Sequence, residues 1–219
     1  YFFGKQKTNK NKLFLIENKL AGPLDRGKKH LPAWDGKRAL TIGYFGLLTY
    51  TNTWDMLTKL VDSEPNKFQI YVRGFYLGDR QGFRERLRNP HFIYEGPYIH
   101  PEDLSGMHSR IDLIWAGYIS EDKFKSCNLR WAMRNQFYEA CYFNTPLIVQ
   151  KGTQAEKYVE KFEIGLVVDM SDVNGTISKI LGITPENISK WTGNLKRLPE
   201  SFSVYTDEHE RLAKQLGLL

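Results

Sequence analysis

A chain of 219 residues that is 41% hydrophobic and 14% aromatic holds enough apolar material for a sizeable core, which argues against wholesale disorder. The formal charge of +6 is uneven: residues 1–38 carry ten Lys/Arg against three Asp/Glu, the remainder 21 against 22. A nearly neutral body argues against a dedicated nucleic-acid-binding domain. The basic first segment reads as a solvated extension, with contact to anionic lipid headgroups or a neighbouring domain as the alternative.

No apolar run is long enough to span a membrane, and no secretory pattern opens the chain. Tyr1 in place of Met points to a processed chain or an excerpt of a longer one. Cys127 and Cys141 match no CxxC or zinc spacing and read as reduced thiols. A cytoplasmic location is therefore expected, with the basic segment allowing a peripheral position at the inner face of the membrane.

Residues 1–36 read as a basic extension or interdomain linker, in which 13–16 is a strand or docking segment and 21–23 and 31–36 are turn-rich. A domain is expected over 37–200 and a helical tail over 201–219. Strands are predicted at 39–45, 68–72, 91–94, 111–115, 147–149 and 165–169. Helices are predicted at 51–61, 79–87, 101–108, 154–162, 173–181, 185–195 and 205–216. Strands alternating with helices imply an α/β fold: a doubly wound, mostly parallel, Rossmann-like sheet of about six strands with helices on both faces.

Residues 130–150 carry the densest signal. Met133, Phe137, Ala140 and Cys141 fall at i, i+4, i+7 and i+8, one apolar stripe; Asn135, Tyr138, Glu139 and Tyr142 repeat the spacing on another face. Asn144-Thr-Pro breaks this helix, and Leu147-Ile-Val follows as a strand covered on both sides. A helix opening with Arg134 and Asn135 can receive an anion at its free N–H groups. Glu139, one turn further in, can then accept from the hydroxyls of a sugar attached to that anion. The plainer alternative is a half-buried core helix with a solvated Glu139.

In such sheets ligands gather outside the carboxyl ends of the strands. That rule collects the loops at 46–53, 73–79, 95–101, 116–128 and 151–153, with Gly46, Gly74, Gly96 and Gly152 at four strand ends. No Walker A, GxGxxG, HExxH or Gly-x-Ser-x-Gly pattern occurs, and no Asp-x-Asp pair, so no metal site is expected. His100 and His108 read as surface histidines.

Asn135-Gln-Phe-Tyr-Glu139-Ala-Cys-Tyr-Phe-Asn-Thr-Pro146-Leu-Ile resembles the donor-site signature of group-1 GT-B glycosyltransferases, with similarity reaching over residues 40–168. The resemblance implies the C-terminal, donor-binding half of an enzyme that transfers sugar from a nucleotide sugar, such as a UDP-sugar, in polysaccharide biosynthesis. It implies no cofactor or metal, and a separate N-terminal acceptor domain without which this piece is inactive. By the same resemblance Gly46, Arg73 and Gly74 approach the diphosphate, and Tyr98 and Ile99 give backbone contacts to the base. Asn135 and Gln136 hold the diphosphate through N–H groups, and Glu139 takes the ribose. Arg134, Gly152 and Thr153 complete the candidate donor site, and no catalytic residue is assigned. Two features depart from the pattern. The family's first Glu, eight residues before Glu139, is Trp131, and the loop Leu47-Leu-Thr-Tyr-Thr-Asn lacks the family's Arg and Lys. Arg130, Arg134 or Lys151 would have to supply that charge. The alternatives are a nucleotide-sugar epimerase-like enzyme and a non-catalytic protein-binding partner that keeps the half-fold.

Overall fold

The computed structural model describes residues 16–49, 51–78, 80–117 and 130–218. Its strands are β1 Leu40–Leu47, β2 Phe68–Phe75, β3 Phe92–Tyr94, β4 Leu113–Trp115, β5 Leu147–Gln150 and β6 Gly165–Val168. They form one sheet in the order β3-β2-β1-β4-β5-β6, and every pairing is parallel. The helices are α1 Thr51–Ser63, α2 Arg80–Arg86, α3 Leu104–Ser109, α4 Asn135–Tyr142, α5 Gln154–Phe162, α6 Val173–Leu181, α7 Pro185–Leu195 and α8 Glu208–Gln215, with a 3₁₀ turn at Glu200–Phe202.

The apolar strands divide their side chains between two cores because successive residues point to opposite faces. Ile42, Tyr44, Ile70, Val72, Leu113, Trp115 and Ile148 meet α1, α6 and α7 through Trp54, Leu57, Ile180 and Trp191. Phe45, Tyr71, Ile114, Leu147 and Val149 meet α3, α4 and α5 through Met107, Phe137, Ala140 and Val159. Helices on both faces of a parallel sheet make the fold doubly wound, as the alternation of elements implied. Order reverses between β1 and β4, which are paired at Ile42–Leu113. At that switch point the loops above the two strands diverge and leave a crevice.

Several boundaries move. The second strand does not stop at Val72 but continues through Arg73 and Gly74 to Phe75, because β1 runs alongside it to Leu47. The helix expected from 101 starts at Leu104, and the tail helix starts at Glu208 rather than 205. The second shift has a cause: Val204 pairs with Leu20, and the Tyr205 N–H donates to the Leu20 carbonyl at 2.9 Å. Residues 16–36, expected as linker, lie along the body. Leu20 is buried with Leu104, Tyr142 and Val204, and the His30 and Leu31 N–H groups donate to Ser109 O. Asp79 and most of 13–16 fall outside the described residues, as do Cys127 and nearly all of the loop at 116–128. No helix among the described residues is long and apolar enough to cross a membrane.

Candidate functional site

Above the switch point lies a cavity of about 390 Å³. One wall is the end of β1, at Gly46 and Leu47; a second is the segment after β3, at Tyr98 and His100. The third is the start of α4, with Arg134, Asn135, Gln136 and Glu139, and Asn18 and Ala132 complete the rim. Gly46, Tyr98, Arg134, Asn135, Gln136 and Glu139 are thus brought together as expected from their places at one sheet edge.

Where the cavity reaches β1, at Gly46, the sheet edge is main chain; Gly74 and Gly96 adjoin Gly46 but do not line the cavity. Gly46 has φ +99° and Gly74 φ +143°, and a Cβ on Gly74 would run into the Gly46 carbonyl. The Gly74 N–H donates to Gly96 O at 2.9 Å, so three backbone segments meet without an intervening side chain.

Helix α4 starts where Arg134 turns extended, at φ −80° and ψ 156°, and Asn135 and Gln136 open it. The two-faced reading of this helix needs correction, because Gln136 to Tyr142 are all buried. Its inner side meets the sheet, and its outer side is roofed by distant residues. Phe202 lies against Phe137, with centroids 6.2 Å apart, and Leu20 and Val204 cover Tyr142. The Gln136 amide donates to the Phe45 carbonyl and fastens the helix to β1, so its side chain is committed to the fold.

Glu139 is neither solvated nor alone. It is 2% exposed, and its Oε1 lies 2.9 Å from Nε2 of His100. Burial pushes its pKa up, and the hydrogen bond and charge of His100 pull it down by less. Tyr98, on the same wall, is pushed up to about 12, first by burial and then by the Glu139 charge. The surface reading fails for His108; His100 is exposed, as read, but does not lack a partner. His100 has a partner carboxylate 39 residues away, and His108 is 3% exposed with Nδ1 2.9 Å from Thr145 Oγ1. Burial, then the Lys29 charge, lowers the His108 pKa to about 3.

Other candidates lie outside the cavity. The Arg73 guanidinium is occupied by the protein: it donates to Pro97 O at 2.8 Å, Gly96 O at 3.2 Å and Asp103 Oδ2 at 3.1 Å. It braces the segment after β3 from behind and does not line the cavity. Ile99 is 67% exposed, and its N–H is taken by Asp103 Oδ2 at 2.9 Å, which removes that donor from contact with a base. Thr153 caps α5, accepting from the Glu156 N–H at 3.3 Å, and the Gly152 N–H donates to Glu156 Oε2 at 2.6 Å. Thr153 lines a neighbouring cavity of about 30 Å³ that shares Arg134 and Gln136 with the first. Of the three cations named to replace the missing loop charges, Arg134 alone lines the cavity among the described residues. Arg130 stands 5.4 Å over the ring of Trp131, with the Lys157 ammonium 5.5 Å from the same ring. No group of three or more His, Cys, Asp or Glu among the described residues could hold a metal ion.

No family profile matches the chain. It is 28% identical over 184 residues to the succinoglycan biosynthesis protein ExoL of Rhizobium meliloti (strain 1021), covering 81% of this chain but 44% of ExoL. Its fold matches sucrose-phosphate synthase of Thermosynechococcus elongatus at a TM-score of 0.64 and 19% identity, covering 85% of this chain and 47% of that one. It matches Anabaena HepE, solved with UDP and glucose, at 0.60 and 14% identity, covering 83% and 49%. A third match, at 0.54 and 16% identity, is the C-terminal domain of the group-1 glycosyl transferase LpcC from Francisella tularensis, covering 82% of this chain and 94% of that domain. The chain has the fold of one GT-B half. The coverage says the same: a GT-B half spans nearly all of a single solved domain and just under half of the two-domain chains. The chain likewise spans less than half the length of ExoL.

Proposed function

We propose that this chain is the C-terminal, donor-binding half of a glycosyltransferase that uses a nucleotide sugar in polysaccharide biosynthesis. The observation that carries the reading is Glu139: a buried carboxylate on the wall of the switch-point cavity, one turn inside a helix that opens there with Arg134 and Asn135. The likeness to ExoL supports the polysaccharide role, and the likeness to HepE supports a nucleoside diphosphate as part of the ligand.

In this reading the diphosphate lies at the N-terminus of α4. The helix dipole and the Arg134 guanidinium offset its charge and that of the leaving group when the glycosidic bond breaks. Glu139 accepts from the ribose hydroxyls, and Tyr98 flanks the base. Arg73 and Ile99 have no part in it, since their donors are already used by the protein. The acceptor is held by the other half of the enzyme.

A second reading, a non-catalytic partner that keeps the fold, is favoured by one feature: Trp131, standing at the family's first Glu, is 42% exposed beneath Arg130 and Lys157.

Calorimetric titration with UDP, GDP and ADP separates the two. Losing charge-assisted hydrogen bonds costs about 1.5–3 kcal/mol, so Glu139→Gln is expected to weaken the tightest of the three by roughly ten- to a hundredfold. EDTA is expected to leave that affinity unchanged. Normal binding by Glu139→Gln, or no binding by any of the three nucleotides, would sink the donor-site reading.

A further inference from the structure

An ionised carboxylate in an apolar wall needs a hydrogen-bond donor, because burial without one drives it to take up a proton. The Glu139 side chain is 3% exposed, and the donor it finds is His100, whose side chain is 44% exposed at the same cavity. The contact uses Oε1 at 2.9 Å; Oε2 has no hydrogen-bond partner among the described residues. Two other titratable side chains line the cavity. Tyr98 stays neutral because its pKa is pushed up to about 12 by burial and by Glu139; the other is Arg134. Behind Tyr98, Arg73 and Asp103 are paired with each other at 3.1 Å. Among the described residues no other side chain hydrogen-bonds to the Glu139 carboxylate.

We propose that His100 is a positioning residue for the nucleotide: by donating from Nε2 to Oε1 it keeps the Glu139 carboxylate ionised and fixed, so that Oε2 is presented to the ligand's hydroxyls. The inference rests on the donor-site reading of Glu139 and adds the group that makes that carboxylate usable. A carboxylate held before the ligand arrives also loses less conformational freedom on binding. Without His100, Glu139 would share a wall with Leu47 and Tyr98 and no donor to hold its charge.

The pH profile of binding separates this role from a merely structural one. Burial raises the Glu139 pKa and the His100 hydrogen bond opposes the rise. Removing His100 therefore raises it further, and the acidic loss of nucleotide affinity should begin at higher pH. The full chain is titrated with UDP, GDP and ADP from about pH 5 to about pH 8 as wild type, His100→Ala, His100→Gln and Glu139→Gln. Titration of the ligand's phosphates is common to all four proteins, so differences between them at one pH report the protein. His100→Ala is expected to bind about tenfold more weakly than wild type at the acidic end, the cost of about one charge-assisted hydrogen bond to the ligand, with the gap closing towards the alkaline end. His100→Gln keeps one amide donor and should recover most of the loss. Thermal melting should be close to wild type in both. If His100→Ala keeps the wild-type profile, or His100→Gln fails as badly as His100→Ala, His100 does not position Glu139. If Glu139→Gln binds normally, or none of the nucleotides binds, the donor-site reading falls and this inference with it.

Discussion

Glu139 sits under opposing demands. Packing against the sheet favours its neutral form, whereas a ligand with hydroxyl donors needs it charged. Because burial is the larger influence on its pKa, folding favours the protonated carboxyl. The sign follows from linkage. A group whose folded pKa is raised contributes stability that is complete below the unfolded value and is lost as pH climbs through the folded one. Wild type is therefore expected to lose stability relative to Glu139→Gln as pH rises from about 4 to about 8, by about 1.4 kcal/mol for each unit by which the folded pKa is raised. Urea midpoints of the two proteins across that range check it. A constant gap would mean that folding does not raise the Glu139 pKa. The sequence marked Glu139 through its spacing from Asn135, but not its partner. His100 is 39 residues away, and nothing local to either residue encodes the contact.

At the scale of elements, α4 is held from outside as much as from within. The Tyr142 hydroxyl accepts from the Leu24 N–H at 2.8 Å and donates to the Leu24 carbonyl at 2.5 Å, while Arg26 stacks 4.4 Å over the ring. Tyr142→Phe would leave both backbone groups of Leu24 without this partner. It is expected to cost about 1–2 kcal/mol in chemical denaturation while leaving nucleotide affinity within about twofold, since Tyr142 does not reach the cavity. A matching loss of affinity would mean that the N-terminal segment sets the position of the site. These contacts also explain what periodicity could and could not tell. The apolar runs of β1, β2 and β5 and the bounds of α5, α6 and α7 were legible from short-range signals, such as Thr153 before α5 and Thr184-Pro185 at the start of α7. The outer cover of α4 was not. It comes from Leu20, Leu24, Phe202 and Val204, and tyrosines at 138 and 142 look like an exposed face because each carries a polar tip on an apolar body. Arg73 misled for a related reason: an arginine near a strand end reads as a ligand until its four protein acceptors, Tyr71, Gly96, Pro97 and Asp103, are known.

The whole chain has the fold of one GT-B half. It offers a cavity whose described walls include one cation, Arg134, and one carboxylate, Glu139, besides His100, and in a two-half enzyme the acceptor would come from across the cleft. The chain is accordingly expected to bind a nucleotide sugar without passing the sugar to an acceptor. A transfer assay with the purified chain, run at concentrations that saturate binding, checks this. Turnover above the rate of spontaneous donor hydrolysis would mean that one half suffices. Fold class and the sheet edge that bears the cavity could be read from alternating elements and glycines at strand ends. The switch point could not, because strand order depends on which runs pair across the molecule.

The junction of Gly46, Gly74 and Gly96 has a bearing on which substitutions the sheet edge beside the cavity accepts. A surface made of main chain has no side chain to lose or gain, and at Gly74 any gain collides with the Gly46 carbonyl. The neighbouring walls, at Leu47, Tyr98 and Ala132, are side chains and open to replacement one at a time. Tolerance to substitution is thereby uneven: a side chain at Gly74 meets backbone, whereas exchanges at Leu47, Tyr98 or Ala132 change what the cavity presents and leave that junction as it is.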